Sequence, residues 1–115
     1  MKVPIWLSYD LSVRGDYEGL YAWLDNHDAK ECGDSIAFIM WDDNGIEEIP
    51  KQVQNSILNS FNYDKRKDRI YIIYQKEASG KISSSGKFIL GTRKANPWQG
   101  FASGEEEVED EVCFQ

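Results

Sequence analysis

The sequence predicts an α+β domain, and three observations carry that reading. Three segments of strand length, residues 3–11, 35–41 and 69–75, are rich in β-branched and aromatic residues, and a short fourth over 29–34 is closed by Gly33-Asp34. Two longer segments carry apolar residues at helical spacing. The two kinds follow one another as strand, helix, strand, strand, helix, strand. A chain of 115 residues has room for one hydrophobic core and no separate cofactor module. Four Trp, six Tyr and five Phe supply enough apolar surface to offset the entropy of ordering it.

The first strand, residues 3–11, is almost continuously apolar through Ile5, Trp6, Leu7 and Tyr9, which predicts a central position in the sheet. In the first helix, residues 16–27, Tyr17, Leu20, Tyr21 and Leu24 recur at i, i+3, i+4 and i+7, and Asp16 is placed to cap the first turn. A short strand over 29–34 and a second apolar strand over 35–41 read as a hairpin around Gly33. Asp42-Asp43-Asn44-Gly45 is a turn, its acids lacking the alternation of a calcium loop. The second helix then places Ile49, Val53, Ile57 and Phe61 on one face, with Pro50 in its first turn and Gln52 and Gln54 on the polar face. A charged connector over 64–68 leads to the strongest strand, 69–75.

After residue 76 the pattern weakens to an irregular appendage. Residues 77–87, with Gly80, three serines and Gly86, read as an exposed loop, and Phe88-Ile89-Leu90 as a short strand. Pro97, Trp98 and Phe101 are expected to pack as a lid. Residues 104–115 form an acidic tail that stays solvated, beyond a single domain of residues 1–103. The element order is the ferredoxin-like βαββαβ arrangement, with both helices on one face of an antiparallel sheet. The other face then shows aromatic and aliphatic residues among Trp6, Trp41, Tyr71 and Ile73. A homodimer is the commonest way of covering such a patch.

The formal charge of −7 argues against a nucleic-acid partner only until its distribution is read. Six of the 20 acids and none of the 13 bases lie in residues 105–115, which leaves 14 acids against 13 bases, a charge of −1 for the rest. The bases gather at Lys65, Arg66, Lys67 and Arg69, and again at Lys81, Lys87, Arg93 and Lys94, with Tyr63, Tyr71, Phe88 and Trp98 nearby in sequence. Basic residues with interleaved aromatics suit single-stranded nucleic acid, and a solvated charged connector is the competing reading. Residues 80–88 imitate a phosphate loop but hold five residues between the glycines and Phe88 where Ser or Thr would bind Mg²⁺.

Asp10 ends the first strand, where one carboxylate can bind Mg²⁺ or can cap the loop through the amides of Ser12 or Val13. His27, the one histidine, is expected to meet the helix C-terminus rather than to act as a general base. Cys32 and Cys113 have no metal-ligand or disulfide spacing. No apolar run reaches the roughly 20 residues of a membrane span, and the start carries too short an apolar stretch for a secretory signal, so the expected location is the cytosol.

Ser8-Tyr9-Asp10-Leu11, the Tyr-containing helix from Asp16, Asp34-Ser35-Ile36-Ala37-Phe38-Ile39 and Asp68-Arg69-Ile70-Tyr71-Ile72-Ile73 together resemble the small CRISPR-associated adaptation nucleases and their SinR-like and VapD-like relatives over about residues 3–75. The resemblance implies a ferredoxin-like fold, a homodimer, and an Asp at the end of the first strand that binds a divalent metal such as Mg²⁺ for phosphodiester hydrolysis. Asp10 is the position that carries across. The basic and aromatic residues that follow the first strand in that family are missing here apart from Arg14. The expected function is a small dimeric interaction or nucleic-acid-associated module of a defence-related type. One alternative is a metal-dependent endonuclease using Asp10 from both subunits. Another is an inhibitor whose acidic tail imitates nucleic acid toward another protein.

Overall fold

The computed structural model describes residues 1–93 and 95–102; Lys94 and the acidic segment 104–115 lie outside the described residues. The elements are β1 (Lys2–Asp10), α1 (Tyr17–Asn26), β2 (Lys30–Gly33), β3 (Ile36–Asp42), α2 (Ile49–Ile57), β4 (Arg69–Ala78) and β5 (Lys81–Leu90). The strands form one antiparallel sheet in the order β2-β3-β1-β4-β5, so β1 is central as its apolar run predicts.

The pleat sorts β1 into two sets. Ile5, Leu7 and Tyr9 are buried, and their cross-strand neighbours Ile39, Ala37, Tyr74, Ile72 and Ile70 are buried with them. Both helices pack on this face. The Trp41 ring of β3 lies 6.1 Å from that of Trp23 in α1, and its indole N–H donates to Gln52 Oε1 in α2 at 3.0 Å. Trp23 in turn donates to Ser56 Oγ at 3.0 Å, which ties the helices to each other.

Asp16 caps α1 as expected. Its carboxylate accepts from the amides of Gly19 at 2.9 Å and of Asn62 at 2.8 Å, and these bonds, the one from Asn62 foremost, hold its carboxyl below the usual range. Gly19 is required by close approach, since a Cβ there would stand 2.8 Å from Phe61 Cβ.

Several expectations need correction. The buried face of α1 is Leu20, Trp23 and Leu24, with Trp23 stacked beside Trp41 and Tyr21 left half exposed against Tyr9. Gln52 sits in the core instead of on a polar face, accepting from Trp41 and from the Asn44 amide and donating to Asp43 and Glu47. The second helix stops at Ile57, and Phe61 reaches the core from the loop. Trp41 faces the helices, not the uncovered side. Residues 77–87 are no loop: β4 and β5 pair from Tyr71↔Phe88 to Ala78↔Lys81, which gives five strands.

The last correction has a local cause. Ser79 and Gly80 both take positive φ, 55° and 77°, the pattern of a two-residue turn that matches strand twist. Serines are poor strand formers, and the ladder is set by this turn and by β4. A register shift near Ile70/Tyr71 lets consecutive Ile89 and Leu90 both reach the core. Trp98 and Phe101 form no lid; both are exposed.

Candidate nucleic-acid interface

The alternate residues of the sheet build its second face. Trp6 pairs with Phe38 on one side and Ile73 on the other, Ser8 with Ile36 and Tyr71, and Asp10 with Arg69. No helix covers this face among the described residues, and Ile36, Met40 and Ile73 stand 38%, 46% and 42% exposed on it. Two aromatic pairs organise it. The Trp6 and Phe38 rings are 5.3 Å apart, and Tyr71 and Phe88 meet edge-on at 4.9 Å. Gly86 permits the second pair, since a Cβ there would stand 2.7 Å from Tyr71 Cε2 and Cζ.

At the Asp10 end the face becomes charged. Arg69 donates to Asp10 Oδ2 at 2.6 Å, and Arg93, from beyond β5, approaches the same oxygen at 3.9 Å. Ser8, Asp10, Arg69, Tyr71, Phe88 and Arg93 together line one cavity of about 160 Å³. Two guanidinium groups answer one carboxylate, which leaves the cavity cationic beside an aromatic wall.

The other basic residues do not join it. Lys65, Arg66 and Lys67 are exposed in the turn before β4, where Asp64 accepts from the Arg66 amide at 2.8 Å. Lys87 borders a separate cavity on the helix side, with Glu48 just before α2 and Lys51 and Gln54 within it. Lys94 lies outside the described residues.

The loop-capping role weighed for Asp10 belongs to Asp68. Its carboxylate accepts from Ser12 N and Asp64 N, both at 2.8 Å, and it is 1% exposed. A single Asp inside a basic run gives no periodic signal of this, because the partner amide lies 56 residues away. His27 Nδ1 lies 2.8 Å from the Trp23 carbonyl in the last turn of α1, and its ring stacks on Trp41 at 5.5 Å and lies tilted against Trp23 at 4.1 Å. A carbonyl only accepts, so Nδ1 carries the hydrogen. Asp43 accepts from Gly45 and Gln52, which lowers its carboxyl from the usual range, Gln52 contributing most.

Within one chain Asp10 does not fit Mg²⁺. That ion wants an oxygen-rich octahedron, whereas the carboxylate here is neutralised by Arg69 and faces a second cation in Arg93. Among the described residues no three His, Cys, Asp or Glu side chains gather as a metal site, and no helix is long and apolar enough to cross a membrane. Comparison with family models, with curated proteins and with solved structures finds no match to this chain.

Proposed function

We propose that the chain is a small nucleic-acid-associated module that takes single-stranded nucleic acid on the uncovered face of its sheet. One observation carries the reading: Tyr71 and Phe88 share a cavity with the guanidinium groups of Arg69 and Arg93. Aromatic faces stack on bases of any sequence, and cations beside them meet the phosphates that connect those bases. Trp6 and Phe38 extend the stacking surface along the sheet, and Lys30, which pairs with Phe38, adds a further cation at its edge. The strand order β2-β3-β1-β4, with a helix between β1 and β2 and another between β3 and β4, supports a ferredoxin-like reading, to which β5 adds an edge strand.

The test is fluorescence anisotropy with labelled single- and double-stranded RNA and DNA across a salt series. Arg93→Ala is expected to flatten the salt dependence, and Tyr71→Ala to weaken single-strand binding by about 1–3 kcal/mol. Binding that ignores both substitutions removes the sheet face from the interaction. The same mixtures with Mg²⁺, Mn²⁺ or EDTA, compared with Asp10→Ala, address the endonuclease alternative; cleavage that needs metal and is lost in the variant would favour it.

A second reading has its own support. The exposed Ile36, Met40 and Ile73 lie on this face, where a second copy of the chain related by a two-fold axis would cover them.

A further inference from the structure

A second cleft lies on the helix side of the sheet, between α1 and the short edge strand β2. It measures about 390 Å³, and its walls include Tyr9, Tyr21, Leu24, Asp25 and Glu31. That volume falls within the range of small-molecule sites. The Tyr9 and Tyr21 rings stand 6.1 Å apart at 75°, two walls of an aromatic corner, and Tyr17 supports both from 6.4 and 5.5 Å. Tyr9 is 9% exposed and so fixed, whereas Tyr21 is half exposed at the mouth.

Two carboxylates, Asp25 and Glu31, and one lysine, Lys30, border this cleft. Glu31 pairs with Ala37, whose side chain is buried against the helices, so Glu31 leans to the cleft side, and its charge bears on the Tyr9 phenol. Asp25 adds a second carboxylate from α1. Lys30 also borders the cleft, but it pairs with Phe38, and alternation along β2 sends its side chain to the uncovered face, where both line another cavity.

We propose that this cleft binds a small organic monocation of the quaternary ammonium type, its methyl groups against Tyr9 and Tyr21 and its charge answered by Asp25 and Glu31. Ring faces are negative and attract a cation that has no N–H to satisfy. Two carboxylates on separate elements set the sign of the ligand without the dense oxygen shell that a bare metal ion needs.

The experiment titrates the full chain with choline and, in parallel, with its neutral isostere 3,3-dimethyl-1-butanol, following the amide resonances of Leu24, Asp25 and Glu31 by NMR. Choline should give saturable shifts, with the isostere at least about fivefold weaker. Glu31→Gln, an exposed site, should weaken choline about two- to fivefold, and Tyr21→Leu more than that, with resonance dispersion unchanged. Absence of saturable shifts, equal binding of the isostere, or choline binding indifferent to both substitutions would overturn the assignment.

Discussion

Single residues in this protein are specified by what their polar atoms must find once buried. Asp68 shows it most plainly. A carboxylate at 1% exposure persists because two backbone amides, of Ser12 and Asp64, donate to it. Asp68→Ala leaves both amides orphaned, so chemical denaturation should show a loss of about 3 kcal/mol. Asp10→Ala removes only a surface ion pair and should cost under about 1 kcal/mol by the same measurement. Tyr9 carries a pH consequence. Burial first, then the hydrogen bond that the Tyr9 hydroxyl donates to Tyr21, pushes its phenol up to about 12 from 10.0. The folded state therefore holds this proton more tightly than the unfolded chain. Its contribution to stability is complete below pH 10 and is lost as pH rises toward 12. Absorbance titration of tyrosinate should show a late step near pH 12 that is missing from Tyr9→Phe; a titration without that step would contradict the burial argument.

At the scale of elements, the β4–β5 hairpin matters most, because it converts a serine-rich stretch into the edge of the sheet. Beyond Tyr74 the two strands pair only with each other, since the pairing of β1 with β4 ends at Ile5↔Tyr74. The turn must then carry the register of the arm. Gly80→Ala places a Cβ at φ 77° and should destabilise by about 1–2 kcal/mol. Ser79→Asn, at φ 55°, should stabilise by up to about 0.5 kcal/mol, because Asn tolerates this region best among side-chain-bearing residues. Thermal unfolding of the two variants checks the pair, and shifts of the same sign would show that the turn is not what sets the register. The serines of β5 lie at an outer edge, and Lys81 and Lys87 blunt that edge against unwanted pairing.

At the scale of the whole molecule, the arrangement is two-faced. One face of the sheet is sealed by α1 and α2, and the other presents Trp6, Phe38, Tyr71 and Phe88 with arginines at one end. A second copy and a single nucleic-acid strand compete for this surface. Ile73→Glu, in the middle of the face and already 42% exposed, should leave folding intact. If a second copy covers the face, sedimentation equilibrium should show the variant weakened as a dimer by at least tenfold, about 1.4 kcal/mol. A wild-type chain at monomer mass across the concentration range would refute self-association and leave the face to its nucleic-acid reading.

Much of this architecture was legible in the residues because periodicity reports burial directly. The apolar run of β1, the Asp16 cap and the Ile49, Val53, Ile57 spacing are local patterns, and each appears where expected. Local pattern also determined that Trp6, Ser8 and Asp10 share one side of a strand. Tertiary structure alone decided what those sides meet. It gave Asp10 to Arg69 and Arg93, gave the loop amides to Asp68, drew Gln52 inward to Trp41, and split the basic residues between two faces of the sheet. The physical reason is that a strand or helix is chosen by neighbours in sequence, whereas a hydrogen bond or ion pair is chosen by neighbours in space, here as much as 83 residues apart, from Asp10 to Arg93.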